Sequence, residues 1–227
     1  MSDQRELVYN VLKKLEKEGV LKYLIVVGGW CVFFYRHHFK EAQMLPPIRT
    51  RDIEFDVSRL KKVFHKVDIS ATLKEMGFIE DFQASEGFVR FLHQDIIIEF
   101  LAPETGRGQE GPYKLPGFGI NAQTIRYLNF LEEEIIAVKY KDLSIIVPHP
   151  AIFAIHKLIV SERRPLKNIE KSANDVRQAL AVLDMLENMG EINKIKKILS
   201  GVPRGWLKLI KSSLVKTKET DRLNRYL

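Results

Sequence analysis

A short run in which acidic and hydrophobic residues alternate constrains this fold more tightly than any other feature of the sequence. Residues 52–57 read Asp-Ile-Glu-Phe-Asp-Val. On a β-strand, side chains at i and i+2 project from the same face, so Asp52, Glu54 and Asp56 would share one face and the hydrophobes the other. Like charges this close repel one another unless solvent or a cation compensates them. The pattern predicts either an acidic metal-binding strand or, equally well, a solvent-facing acidic edge strand.

The residue types available as ligands restrict which metal such a site can hold. Cys31 is the only cysteine, and the six histidines show no metal-binding spacing. Oxygen-only ligands favour Mg²⁺ or Mn²⁺ over zinc. Two such ions lie about 3.5–4 Å apart in nucleotidyl and phosphoryl transfer, a separation that closely spaced carboxylates can bridge.

A second candidate feature lies upstream, where an apolar run is followed by two glycines. Leu24-Ile25-Val26-Val27 precedes Gly28-Gly29, and a helix is predicted from Trp30 to about His38. A glycine pair at a helix start lets backbone N–H groups approach a phosphate closely. A tight strand-to-helix turn with no ligand is the simpler explanation for such a pair.

The remaining pattern predicts an α/β (α+β) protein, with a small mixed sheet and helices in the N-terminal half and a helical C-terminal region. The predicted domains are residues 1–148 and 149–227. Helical spacing indicates helices at 3–18, 68–77, 151–162, 169–188, 191–199 and 206–214. Strands are expected at 88–93, 95–101 and 143–147, a loop at 103–118, and either helix or strand at 129–140.

Composition limits the location and partners of the protein. No apolar stretch approaches the roughly 20 residues of a membrane span, and the N-terminus does not resemble a secretory signal, so we expect a cytoplasmic protein. The net charge of +7 resides in residues 191–227, which contain ten basic and three acidic residues. This segment is either a solvated helical surface or a contact surface for RNA.

The order of these features resembles the nucleotidyltransferase superfamily with the polymerase β-like fold. That family combines a hydrophobic strand, Gly-Gly or Gly-Ser, a helix, a strand with two acids around one hydrophobe, and a third carboxylate on a later strand. The resemblance implies that Asp52, Glu54 and Glu99 hold two metal ions and that Glu99 also acts as general base. Asp95 competes with Glu99 for the third position, because both would project from one face of a strand at 95–101.

Further residues resemble the subgroup that contains antibiotic-modifying and toxin–antitoxin-associated nucleotidyltransferases. Gly28-Gly29-Trp30 and Arg49-Thr50-Arg51 match its Gly-Gly-Trp and its Arg-Thr before the acids. By this resemblance, the triphosphate would be bound by Gly28, Gly29, Arg49, Thr50, Arg51 and Lys157. The chain departs from the pattern in the 22 residues between Gly29 and Asp52, where residues 37–48 look like an insertion that could form part of an acceptor pocket.

The sequence therefore predicts a metal-dependent nucleotidyltransferase that moves a nucleoside monophosphate from a nucleoside triphosphate to a hydroxyl group. The acceptor would be a small molecule, a protein or RNA. A non-catalytic or antitoxin-type nucleotide-binding protein with the same fold is the alternative.

Overall fold

The computed structural model describes residues 2–47, 50–65, 67–104 and 111–226. By contacts the chain divides into two compact units. The first comprises residues 1–34 and 48–148, and the second comprises residues 35–47 and 149–227. The division of the sequence into domains at residue 148 stays a prediction, and residues 35–47 group with the second unit.

The first unit is built on a mixed sheet. In the described residues its central strands run in the order β1, β2, β5, β4, β3, with β7 paired to β5 and β6 to β7. The β2–β5 and β5–β7 pairs are parallel and the other pairs are antiparallel. The strands are β1 Ile25–Val27, β2 Asp52–Asp56, β3 Ile79–Gln83, β4 Phe88–Leu92, β5 Ile97–Pro103, β6 Tyr113–Leu115 and β7 Ile120–Ile125.

Helices and a separate hairpin complete this unit. The hairpin strands β8 and β9 pair with each other antiparallel. The elements are α1 Ser2–Lys17, α2 Trp30–His38, α3 Ile69–Glu75, α4 Leu128–Leu131, β8 Ile135–Tyr140 and β9 Leu143–Pro148. Helix α2 continues into the second unit, since its residues from Tyr35 onward belong there.

The core of the first unit lies on the face of the sheet that the hydrophobes of β2 and β5 share. Ile53, Phe55, Ile98 and Phe100 are all buried. The rings of Phe55 and Phe100 stack with centroids 5.9 Å apart, because the two residues are paired in register. Burial of these side chains stabilises the sheet by about 2 kcal/mol per residue and fixes which face the intervening residues occupy.

The second unit is helical. Its helices are α5 Pro150–Ser161, α6 Ile169–Asn188, α7 Ile192–Gly201, α8 Arg204–Lys216 and α9 Thr220–Tyr226. Helix α5 is buried along nearly its whole length and packs against α6 and α8. A 3₁₀ turn at Lys40–Met44 packs on α6 within the same unit. In the described part of the chain, every helix is too short or too polar to span a bilayer.

The predicted fold class is confirmed: an α/β half with a small mixed sheet precedes a helical region. Several local expectations were incomplete. Strands β3 and β7 and helix α9 were not predicted, the expected loop at 103–118 contains β6, and the ambiguous stretch 129–140 begins in α4 and ends as β8. Residues 105–110 of that loop lie outside the described residues.

A buried histidine in α5 makes the stability of the protein depend on pH. Burial, with a smaller contribution from the positive charge of the neighbouring Lys157, lowers the pKa of His156 from 6.5 to about 3. Its Nε2 atom has no hydrogen-bond partner among the described residues. Below pH 6.5 the unfolded chain therefore takes up a proton that folded His156 does not. This protonation of the unfolded chain destabilises the folded protein, so the free energy of unfolding is highest above pH 6.5 and falls as the pH drops toward 3.

Replacing His156 by Gln should remove this dependence. Between about pH 7.5 and about pH 5.5, the free energy of unfolding of the wild type should fall by about 1.4 kcal/mol more than that of His156→Gln. Urea denaturation of both proteins at each pH measures the difference. Parallel pH dependences for the two proteins would contradict a neutral buried imidazole.

Candidate active site

Two of the predicted carboxylates lie side by side on paired parallel strands. Glu54 of β2 is in register with Glu99 of β5, and Asp52 is in register with Ile97. The residues flanking Glu54 and Glu99 point into the core, so both carboxylates project from the opposite face, where each residue is half-buried. Asp52 and Glu54 share that face by their spacing. The sheet therefore brings the three predicted acids to one surface.

Gly28 and Glu54 are in close contact. Gly28 follows β1 with a φ of +68°, a left-handed conformation that favours glycine. A Cβ atom added to it would lie 1.7 Å from Glu54 Oε2, far inside van der Waals contact. The carbonyls of Gly28 and Gly29 accept hydrogen bonds from Cys31 N and Val32 N, both at 3.2 Å, and so open α2. Gly28 thus lies directly against the Glu54 side chain of the acidic strand.

The third acid of the alternating run has a different environment. Asp56 is fully buried, and its Oδ1 accepts a hydrogen bond of 2.8 Å from Ser58 N. Burial, with a smaller contribution from the neighbouring Glu132, raises the pKa of Asp56 to about 7 against the lowering effect of the hydrogen bond from Ser58. The expectation that three acids of residues 52–57 line an open surface is therefore wrong for Asp56, because chain beyond β2 covers its carboxyl group.

The structure separates the two candidates for the third carboxylate. Strand β5 begins at Ile97, so the predicted strand start at Asp95 is wrong. The chain turns between β4 and β5, where His93 N donates to Ile96 O at 2.9 Å, and Asp95 lies in that turn. Only Glu99 of the two is in register with Glu54. This geometry favours Glu99.

The donor atoms of this surface suit a hard divalent cation. Carboxylate oxygens are the ligands that Mg²⁺ and Mn²⁺ prefer, and magnesium commonly binds through one or two carboxylates together with substrate phosphates. Within the described residues, no group of three or more His, Cys, Asp or Glu side chains is arranged to hold a metal ion. The described residues therefore do not by themselves show a formed metal site, and the assignment of Asp52, Glu54 and Glu99 as ligands stays a prediction from their chemistry and shared face.

A family model described as Nucleotidyltransferase matches residues 6–197, most of the chain and all of the strands described above. The chain belongs to the nucleotidyltransferase family. It is accordingly a nucleotidyltransferase enzyme, and the family resemblance predicted from Gly28-Gly29 and the acidic strand is confirmed. Comparison with curated protein sequences gives no match.

Solved structures similar to this nucleotidyltransferase include two of the antibiotic-resistance factor ANT(2'')-Ia. The solution structure has 8% identity, covers 100% of this chain and 99% of the other, and has a TM-score of 0.47. The crystal structure with adenylyl-2''-tobramycin has 10% identity, coverages of 87% and 95%, and a TM-score of 0.48. An antigenic nucleotidyltransferase-like protein from Paracoccidioides brasiliensis has 12% identity, coverages of 90% and 93%, and a TM-score of 0.39. The family assignment rests on the family model.

The residues before Asp52 in this nucleotidyltransferase already have partners within the first unit. Thr50 Oγ1 accepts a hydrogen bond of 3.1 Å from Asp52 N. Arg51 Nη2 donates to the main-chain carbonyls of Gln94 at 2.6 Å and His93 at 3.3 Å, which ties β2 to the β4–β5 turn. Their contact with a triphosphate stays a prediction, and Arg49 lies outside the described residues.

Lys157 of the second unit meets an anion in the structure. Its Nζ donates to Asp175 Oδ1 at 2.7 Å, and Arg164 contacts the other oxygen of that carboxylate. Burial alone would raise the pKa of Asp175, but the charges and hydrogen bonds of Lys157 and Arg164 outweigh it and lower the pKa. Lys157 is thus paired with a carboxylate in this structure, and its contact with a phosphate stays a prediction.

Sequence reasoning gave no role to Arg90 and Asp81, which lie beside the acids. Arg90 Nη1 is 3.9 Å from Glu99 Oε1, and Arg90 Nη2 is 2.6 Å from Asp81 Oδ2. Residues 88–93 were predicted as a strand, but the pairing that brings Arg90 to Glu99 is a long-range register that no local pattern reveals.

Proposed function

We propose that this nucleotidyltransferase moves a nucleoside monophosphate from a nucleoside triphosphate to an acceptor hydroxyl with the help of Mg²⁺ or Mn²⁺. The acceptor oxygen would attack the α-phosphorus, the bond to the bridging oxygen would break, and pyrophosphate would leave. The observation that carries the proposal is the in-register pair Glu54 and Glu99, with Gly28 packed directly against the Glu54 carboxylate.

Each residue of the surface has a proposed task. Asp52, Glu54 and Glu99 would hold the divalent ions, and a carboxylate oxygen of Glu99 would accept the proton of the acceptor hydroxyl. The ions would supply charge stabilisation for the pentavalent phosphorus and the departing pyrophosphate. Gly28 and Gly29 would bring backbone close to the triphosphate.

The proposed triphosphate contacts also include the residues that the sequence predicts for this role. Thr50, Arg51 and Arg49 precede Asp52 directly, and Lys157 lies in the second unit. Arginine guanidinium groups bind phosphate oxygens through two parallel hydrogen bonds, which suits them to a triphosphate. For Arg51 this would require exchanging its present hydrogen bonds to the β4–β5 turn.

The acceptor is proposed only as a hydroxyl-bearing small molecule, protein or RNA. Exposed lysines on α7 and α8, with the half-buried Trp206 beside them in sequence, support an RNA contact through the basic C-terminal segment. These lysines are Lys196, Lys197, Lys208 and Lys211. Residues 37–48 would contribute to acceptor selectivity, and the cytoplasm is the proposed location.

Thermal unfolding with nucleotides tests the proposal. ATP, GTP, CTP and UTP are each added with and without Mg²⁺, and at least one should raise the Tm by about 5–10 °C at a concentration of about 100 Kd. The rise should exceed the sum of the rises with nucleotide alone and Mg²⁺ alone, because the ion would bridge carboxylates and phosphates.

The matched control is Asp52→Asn, which keeps the size of the side chain and removes its charge. It should retain the wild-type Tm without ligands and lose most of the metal-dependent rise. If no nucleotide gives a metal-dependent rise in the wild type, the proposal fails. A rise that Asp52→Asn shares in full would instead favour a non-catalytic nucleotide-binding protein.

A further inference from the structure

Four charged residues form a single row across the sheet. Glu54 of β2 is in register with Glu99 of β5, Glu99 with Arg90 of β4, and Arg90 with Asp81 of β3. The row therefore reads acid, acid, base, acid across four neighbouring strands. The single cation stands directly beside the carboxylate that the proposed mechanism uses as ligand and base.

The contacts of Arg90 give it two different partners. Its Nη2 and Nε donate to Asp81 Oδ2 at 2.6 and 3.2 Å. Gln83 Nε2 also donates to Asp81 Oδ2, at 2.6 Å. On the other side, Arg90 Nη1 lies 3.9 Å from Glu99 Oε1. Asp81 thus holds one edge of the planar guanidinium, and a further nitrogen faces Glu99.

A cation next to Glu99 has two effects on that residue: it offsets charge repulsion and it restricts the side chain. Like charges directly opposite on paired strands are destabilising, so Glu54 and Glu99 repel each other in the absence of bound cations. A glutamate also has three side-chain torsions to restrict before it can act at a defined point. A fixed cation beside Glu99 offsets the repulsion and limits the directions in which its carboxylate points.

We propose that Arg90, anchored by Asp81, is a positioning residue that orients the Glu99 carboxylate and offsets its charge beside Glu54. This inference rests on the proposed function, in which Glu99 is a metal ligand and base. Arg90 would act through Glu99 and would not itself touch the nucleotide. At 3.9 Å the Arg90 Nη1 and Glu99 Oε1 atoms attract each other electrostatically rather than through a short hydrogen bond.

The kinetic test compares Arg90→Met, Arg90→Lys and Asp81→Asn in the full chain. Removing a residue that orients a metal ligand commonly lowers activity by 10–100-fold, so Arg90→Met should reduce kcat by about 10–100-fold. The KM for the nucleoside triphosphate should change by less than about twofold, because Arg90 would not bind that substrate. Arg90→Lys should recover part of kcat, and Asp81→Asn should fall between wild type and Arg90→Met. A kcat at the wild-type value in folded Arg90→Met would overturn the proposal.

The stability test is a double-mutant cycle of Arg90→Met and Glu99→Gln without added metal. Arg90→Met alone should lower the Tm by about 2–4 °C, and in the Glu99→Gln background it should lower it by less than about half of that. Lys74→Met is the matched control, since it removes a cation from the Lys74–Glu80 pair of the same unit. Its effect should be the same with or without Glu99→Gln.

The two arms separate failure of this inference from failure of the proposed function. Tm values report the coupling of Arg90 with Glu99 even if the wild type transfers no nucleotide, and transfer by the wild type is measured separately from that coupling. Additive Tm changes for Arg90→Met and Glu99→Gln would overturn the inference, whatever the activity shows. Coupled Tm changes with no transfer by the wild type would support the Arg90–Glu99 interaction and refute the proposed reaction.

Discussion

Substituting Gly28 by Ala is expected to lower kcat/KM at least about 100-fold, because the new methyl group would occupy the place of the Glu54 carboxylate. The added Cβ would lie 1.7 Å from Glu54 Oε2 and 2.8 Å from the Glu54 carboxyl carbon. Either the Glu54 side chain or the backbone between β1 and α2 must therefore move. A displacement of about 1 Å at a catalytic group is enough to cost roughly 100-fold in rate.

Gly77→Ala is the matched control for this substitution. Gly77 also has a left-handed backbone, with φ of +87°, but a Cβ there would meet nothing within 4 Å. Both variants share the strain of an alanine at positive φ, about 1–2 kcal/mol, and only Gly28→Ala meets a carboxylate. Steady-state kinetics of the Gly77→Ala protein should stay close to wild type.

A double variant tests whether Glu54 is the group displaced. Gly28→Ala should lower the free energy of unfolding by more than Gly77→Ala does. Adding Glu54→Ala to Gly28→Ala should restore stability to about the Gly77→Ala level without restoring transfer. Equal activity losses in Gly28→Ala and Gly77→Ala would mean that backbone strain, and not the contact with Glu54, causes the loss of activity in Gly28→Ala.

The local structure around the candidate site could be predicted from the sequence because it follows from periodicity. Alternation in residues 52–57 correctly placed a strand with Ile53 and Phe55 in the core, and the glycine pair correctly marked the transition from β1 to α2. Both patterns depend on neighbours within a few residues. The fold class followed from the same patterns, read along the whole chain.

What could not be predicted was the pairing of strands distant in sequence. Glu54 and Glu99 meet because β2 and β5 pair in parallel, a register set by tertiary packing rather than by either strand alone. Asp95 was placed on β5 because the apolar run hides the turn from His93 to Ile96. Arg90 was overlooked for the same reason, since the role proposed for it follows only from its place opposite Glu99.

The burial of polar side chains likewise could not be predicted from the local sequence pattern. Asp56 has the same spacing as Asp52 and Glu54 but is fully buried, because only the folded chain determines what lies above each position. The strand at Ile79–Gln83 was missed since Ile79 and Phe82 are exposed on it and break the expected alternation. Such strands at a sheet edge carry a weak hydrophobic signal.

Two conservative substitutions, Glu99→Gln and Asp95→Asn, decide which residue is the third carboxylate. Each replaces a carboxylate by the amide of the same size. Glu99→Gln should reduce nucleotidyl transfer about 1,000-fold, because it removes both a proposed ligand charge and the proposed base. Asp95→Asn should leave transfer within about threefold of wild type, since Asp95 lies in the turn before β5 and is not in register with Glu54. Transfer is measured as label moved from an α-labelled nucleoside triphosphate to acceptors in a cell extract, with Asp52→Asn as the inactive reference.

Either result identifies which of Glu99 and Asp95 is the third carboxylate. Loss of transfer in Glu99→Gln alone would agree with the strand register, in which Glu99 is paired to Glu54 and Asp95 is not. Loss in Asp95→Asn alone would require the β4–β5 turn, held by Arg51 through the carbonyls of His93 and Gln94, to rearrange when substrate binds. In that case Arg51→Met should impair transfer as severely as Asp95→Asn. The Arg51 guanidinium, which holds the β4–β5 turn now, would also have to hold that turn in its rearranged position.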